Sequence, residues 1–89
     1  MKIKKGFTLR TVMGQNVVLA EGNNSDSFGK IITLNDSAAT LWKALVGKNF
    51  DADSAAEVLV GTYGIDRAQA IEDVSYILDK MTRKGLIEE

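Results

Sequence analysis

Gly29-Lys30-Ile31-Ile32-Thr33-Leu34-Asn35-Asp36-Ser37-Ala38-Ala39-Thr40-Leu41-Trp42 has the residue pattern of a strand joined to a helix. Lys30 to Leu34 reads as a short strand, and no Gly or Pro separates it from the next element. Asn35, Asp36 and Ser37 are three good helix-capping types in a row, and Ala38, Ala39, Leu41 and Trp42 then take up helical spacing. A strand that ends on a cap and turns directly into a helix ties a sheet to a helical layer with almost no slack. Segments before it should be strands that pair with it, and segments after it helices that pack on the helix it launches.

Upstream, Phe7, Leu9, Thr11 and Met13 share one parity and Thr8, Arg10 and Val12 the other, so 7–13 reads as a half-buried strand. Gly14-Gln15-Asn16 is expected to turn the chain into a second strand, Val17 to Glu21, closing a hairpin. Gly22 to Gly29 is rich in turn formers and reads as a loop, with Phe28 expected to tuck into the core. Lys2, Lys4, Lys5 and Arg10 are four of the eleven basic residues. They read either as a nucleic-acid arm or, more simply, as solvated charges on a terminus or an edge strand.

Downstream, Ala38, Leu41, Trp42 and Leu45 make one apolar stripe, so a first helix is expected from Ser37 to Val46, ended by Gly47. Phe50 follows in a connector, expected to cap the core. Asp51, Asp53 and Ser54 offer a start for a second helix, and Ser54-x-x-Glu57 fits a capping box. Ala55, Val58, Leu59 and Tyr63 would be its inward stripe, and Gly64 its end. Asp66-x-x-Gln69 opens the longest helix, whose apolar face is Ala70, Ile71, Val74, Ile77, Leu78 and Met81. Arg83, Lys84 and Gly85 close it: cations in the last turn, then a glycine. Leu86-Ile87 either packs back on the helices or forms a short final strand.

The order is three strands, then three helices, in one domain spanning residues 1–89. That is an α+β, winged-helix-like fold: an N-terminal three-stranded antiparallel sheet followed by a three-helix bundle. A chain this size buries roughly 60–65% of its unfolded surface. With no Cys, the core must hold without disulfides.

Composition argues against catalysis. The chain has no His and no Cys, which removes the commonest general base and every Ser–His or Cys–His dyad. A zinc site would need carboxylates alone, so no metal or other cofactor is expected. Asp51 and Asp53 lie in a capping loop, and Glu72 and Asp73 are neighbours that point apart on a helix. The scattered glycines form no phosphate cradle. No catalytic residue is therefore assigned. No apolar run is long enough to span a membrane and no targeting segment is visible, so a cytoplasmic location is expected.

Two binding readings remain. A winged-helix DNA-binding transcription regulator would use the last helix for recognition. That helix sets Asp66, Glu72, Asp73 and Asp79 against Arg67, Lys80, Arg83 and Lys84, and its N-terminal half, the part that meets base edges, holds three acids and one Arg. Phosphate repulsion counts against it, and the net charge of −1 supplies no field toward nucleic acid. The other reading is peptide binding. If the third strand is a sheet edge, its unpaired N–H and C=O groups are a template for another strand. Alternatively, Ile31 and Ile32 are simply buried and Lys30 blunts the edge.

The run Leu34-Asn35-Asp36-Ser37-Ala38-Ala39-x-Leu41-Trp42 resembles the LNxxAxxIW signature of the PqqD family, named for the small pyrroloquinoline quinone biosynthesis protein D. Gly47, Glu57-Val58-Leu59, Tyr63-Gly64 and Asp73-Val74-x-x-Ile77-Leu78-x-x-Met81-x-x-Lys84-Gly85-Leu86-Ile87 fall in the family's order. Asp36 departs from the Pro or Glu often found there, and an acid is favourable in a first helical turn. The resemblance implies a RiPP recognition element, which binds the leader of a ribosomally made precursor peptide and presents it to a modifying enzyme such as a radical SAM maturase. It implies no chemistry by the domain itself. Carried over, the backbone of Lys30, Ile31, Ile32, Thr33 and Leu34 would pair with the leader. Ile71, Val74, Ile77, Leu78 and Met81 would supply an apolar wall, shared with the core. An exposed edge can also pair with its own copy, so either a monomer or a homodimer is expected.

Overall fold

The computed structural model describes residues 1–20 and 31–88. Lys30, Phe28 and the loop expected over 22–29 lie outside the described residues. Strand β1 is Lys2–Ile3, β2 Phe7–Val12, β3 Gln15–Ala20, β4 Ile31–Leu34 and β5 Ile87–Glu88; helix α1 is Asp36–Leu45, α2 Ala52–Tyr63 and α3 Arg67–Arg83. The architecture is the expected one: a three-stranded antiparallel sheet in the order β2-β3-β4, followed by three helices.

The β2–β3 hairpin closes one residue earlier than expected. Met13 and Gly14 form the turn, with φ of 51° and 80°, and Val12 pairs with Gln15. A two-residue turn with both central residues at positive φ matches the twist of the strands it joins, and Gly14 supplies one of those conformations freely. Leu9 therefore faces Val18, which faces Ile32 on β4. This row belongs to the core face of the sheet, where Val18 is buried and Leu9 and Ile32 pack against the core. Alternation puts Ile32 and Leu34 inward on β4 and leaves Ile31 and Thr33 exposed.

Leu34 is buried, and the next residue is already the cap of α1. Asn35 has extended backbone, and its Oδ1 accepts a hydrogen bond from the Ala38 N–H at 2.8 Å. Ala38, Leu41, Trp42 and Leu45 then enter the core, joined by Ala39, also buried. The capping box of α2 is not Ser54-x-x-Glu57 but Asp51 with Ser54, so the helix begins at Ala52. The Ser54 N–H donates to Asp51 Oδ1 at 2.8 Å and Ser54 Oγ accepts from the Asp51 N–H at 3.1 Å. Ala55, Ala56 and Leu59 form the buried stripe of α2. Tyr63, expected to face inward, is exposed. Its hydroxyl hydrogen-bonds Thr40 Oγ1 at 2.7 Å and donates to the Asp36 carbonyl at 3.3 Å, tying α2 to the start of α1.

Gly64 turns α2 into α3, and Asp66 caps α3 by accepting from the Gln69 N–H at 2.8 Å. Arg67 pairs with Asp53 and Glu57, fastening the first turn of α3 to α2. Ala70, Val74, Ile77, Leu78 and Met81 are buried, whereas Ile71, expected with them, is 39% exposed. The 100° step between residues rotates Ile71 off the inward face. At the far end Gly85 takes a φ of 77° and the Leu86 N–H reaches back to the Met81 carbonyl, which drops Leu86 fully into the core.

The final strand forms, and its partner is the N-terminus. Ile3 pairs with Ile87 and Lys2 with Glu88, while the Phe50 N–H donates to the Met1 carbonyl at 2.9 Å. Lys2 and Lys4 stay exposed on this clasp, as solvated charges on an edge strand do.

The Asp51 carboxyl is held below the ordinary carboxylate range, first by the Ser54 backbone N–H and then by the Ser54 hydroxyl. A depressed carboxyl stabilises the fold above its unfolded pKa, and that contribution fades as pH falls through the lowered value. Asp51→Asn keeps the acceptor and removes the charge. Its urea midpoint should therefore lie below that of the parent near neutral pH, with the gap closing as the pH falls through the range in which Asp51 takes up its proton. Urea titrations at several pH values check this; a gap that persists at low pH would contradict it.

Candidate functional site: a groove beside a free strand edge

Among the described residues β4 pairs with β3 alone, so one edge of β4 carries backbone groups with no strand beside them. In a four-residue antiparallel strand, alternate residues direct their N–H and C=O groups toward opposite edges. Opposite the free edge lies α3. Between them runs a groove of about 300 Å³ lined on one side by Ile31 to Asn35 and Ala38, and on the other by Tyr76, Ile77, Lys80, Met81 and Lys84. That volume is at the bottom of the range of small-molecule pockets, about 300–1,000 Å³, and suits a few side chains of an extended chain better than an enclosed ligand.

The groove exists because two elements diverge from one core. The Asn35 cap turns the chain away from β4 immediately, so no residue of α1 beyond Ala38 covers the strand edge. The α3 helix stays close because Ile77 and Met81, buried at its centre, form the floor beneath the opening. Tyr76 and Lys80 stand on the rim; Tyr76 is exposed, and the Lys80 ammonium lies 5.4 Å from the centre of its ring. At the Asn35 end a second, more open concavity continues over Ser37, Glu72, Asp73 and Tyr76.

The structure brings together some of the residues expected at the site and separates others. Ile31, Ile32, Thr33, Leu34, Ile77 and Met81 all border the groove. Val74 and Leu78 are buried in the core and do not line it, and Ile71 is exposed on α3 outside it. Lys30 lies outside the described residues. Sequence reasoning missed Asn35, Ala38, Tyr76, Lys80 and Lys84. The signal was available for the last three: Tyr76, Lys80 and Lys84 recur at helical spacing directly beside Ile77 and Met81. A search for apolar residues alone passes over them.

Chemically the groove offers backbone hydrogen bonds, an apolar floor and a charged rim. Among the described residues no group of acidic, His or Cys side chains is arranged to hold a metal ion. No helix there is long and apolar enough to cross a membrane.

The fold and groove define a small α+β domain with one sheet edge held open beside a helix. The family model for coenzyme PQQ synthesis protein D matches residues 15–87, and the chain belongs to this PqqD family. Solved structures share the fold. A structure of TbiB1 in complex with the TbiA(beta) leader peptide has a TM-score of 0.73 at 19% identity, covering 99% of this chain and 95% of that one. Lasso peptide synthetase B1 complexed with the leader peptide has a TM-score of 0.72, also at 19% identity, covering 99% and 96%. No curated protein matches the chain in sequence.

Rim and floor should separate in stability measurements. Tyr76→Ala removes an exposed ring and should change unfolding free energy by no more than about 0.5 kcal/mol. Ile77→Ala opens the core and should cost about 2–4 kcal/mol. Thermal or urea unfolding of the two variants checks the assignment. Equal losses would mean that Tyr76 is part of the packed core.

Proposed function

We propose that the chain is a RiPP recognition element. It captures the leader of a ribosomally made precursor peptide as a fourth strand along β4 and presents it to a modifying enzyme, with a radical SAM maturase the enzyme type that the family resemblance suggests. The domain performs no chemistry itself. The observation that carries this reading is the free β4 edge facing an apolar-floored groove. Membership of the PqqD family supports it, as do two neighbours in fold that were solved with leader peptides. The DNA-regulator reading is not favoured: α3 has a zero balance of formal charge and acids in its leading half.

In this reading the backbone of Ile31 to Leu34 supplies the hydrogen bonds, with Lys30 extending the edge. Ile77 and Met81 receive leader side chains, Tyr76 flanks them, and Val74 and Leu78 hold the floor from beneath. Ile71, exposed on the side of α3 away from the Tyr76 and Lys80 rim, takes no part in this reading. Four or five strand hydrogen bonds contribute roughly 1 kcal/mol each. Two or three buried anchors add roughly 1.5–3 kcal/mol apiece. Association and ordering oppose this with about 4–15 kcal/mol, so the leader must carry apolar anchors and its affinity falls on the order of micromolar. The domain works in the cytoplasm, where such peptides are made, as a monomer or as a homodimer joined away from β4, because self-pairing along β4 would block the leader.

Titration of isotopically labelled protein with the synthetic leader of a short precursor encoded beside this gene tests the proposal by NMR. Shifts should concentrate on Ile31 to Leu34 and Tyr76 to Met81, with saturation in the micromolar range, and duplex DNA at low salt should cause none. Shifts confined to other surfaces would move the site, and silence toward every neighbouring precursor would overturn the function.

A further inference from the structure

The groove rim is charged with opposite sign at its two ends. Asp73, Tyr76, Lys80 and Lys84 follow one another on α3 at spacings of three, four and four residues, which places them in one stripe along the helix. At the Asn35 end, Glu72 and Asp73 border the more open concavity with Ser37, and neither lysine lines it. Lys80 and Lys84 line the main groove together with Ile31 to Leu34, about two and three turns further along α3 than Asp73.

Both lysines are exposed, and among the described residues neither has an ion pair. The nearby acid Asp79 is engaged by Arg83 at 3.1 Å, and Asp73 accepts only a neutral amide, from Gln69 Nε2 at 2.9 Å. The helix has therefore paired its other cations, Arg67 and Arg83, while leaving the two on the groove side available. Eleven residues separate Asp73 from Lys84, a rise of about 16 Å. That equals about five residues of extended chain.

We propose that this groove reads the charge polarity of the leader, a refinement that rests on the peptide-binding reading above. Every strand pair in the sheet is antiparallel. A leader strand continuing that pattern along β4 has its N-terminal end beside Leu34 and Asn35 and its C-terminal end beside Ile31. Its preferred ligand is then a segment with basic residues first, an apolar alternating centre, and acidic residues about five positions later. The basic end meets Glu72 and Asp73. The acidic end meets Lys80 and Lys84, with Tyr76 holding Lys80 over the groove. A segment of reversed polarity would put like charges together at both ends, or would have to bind parallel to β4.

Two capped synthetic peptides of identical composition test this with the full chain. Both carry the same alternating Leu-Thr-Ile-Thr-Leu centre; one has Lys-Lys before it and Asp-Glu after it, and the other has these pairs exchanged. The first should bind on the order of tenfold tighter at 50 mM salt, and the difference should shrink at 500 mM salt. The Lys80→Glu, Lys84→Glu double variant, changed only at exposed positions, should melt like the parent and abolish the preference, because both ends of the rim are then acidic. Equal affinities with shifts at Ile31 to Leu34 in both cases would overturn the charge reading and leave the docking edge intact. Binding without shifts at Ile31 to Leu34 would overturn both, and no binding of either peptide at roughly 1 mM would overturn the charge reading alone, since the leader titration decides the docking edge separately.

Discussion

The cap at Asn35 joins the sheet to the helical layer. One side-chain oxygen satisfies the Ala38 N–H, and the chain passes from strand to helix within a single residue. Because Leu34 is buried just before the cap and Ala38, Leu41 and Trp42 just after it, the direction of β4 relative to the helical layer is fixed by packing on both sides. A longer connection would let residues fold over the strand edge and satisfy it internally. The short one keeps the edge open and sets the distance to α3.

That geometry gives α3 two duties on neighbouring faces. Val74 and Leu78 face the core, where they meet the other helices and the sheet. Ile77 and Met81 serve the core and also floor the groove, so a leader would dock onto packed, well-positioned side chains. Pre-positioned apolar groups reduce the ordering cost of association, which a small edge interface can ill sustain. The rim residues Tyr76, Lys80 and Lys84 take no part in the core.

Much of this was legible in the residues because local signals and tertiary packing agree. The run from Leu34 to Trp42 has a cap, a helical stripe and a family signature at once, and α3 has six apolar residues at consistent spacing. What could not be read has particular physical causes. Two-residue strands have no periodicity, so the clasp of Lys2–Ile3 on Ile87–Glu88 depends on tertiary pairing. Asp51 and Ser54 are both capping types, and only the backbone decides which one ends the connector. Tyr63 follows helical spacing yet points its hydroxyl to Thr40 and Asp36, a polar end that the apolar stripe conceals. Dividing α3 into floor and core required the position of β4, which no single-helix pattern contains.

Amide hydrogen exchange in β4 reports whether a bound leader joins the sheet. Alternate residues of Ile31 to Leu34 point their N–H groups away from β3, so an added strand should protect those amides and leave their neighbours little changed. With a saturating leader peptide, exchange at the outward-facing pair should slow by about tenfold or more, as formation of backbone hydrogen bonds requires. Unchanged exchange there, with the peptide demonstrably bound, would show that the ligand does not join the sheet and would contradict the account.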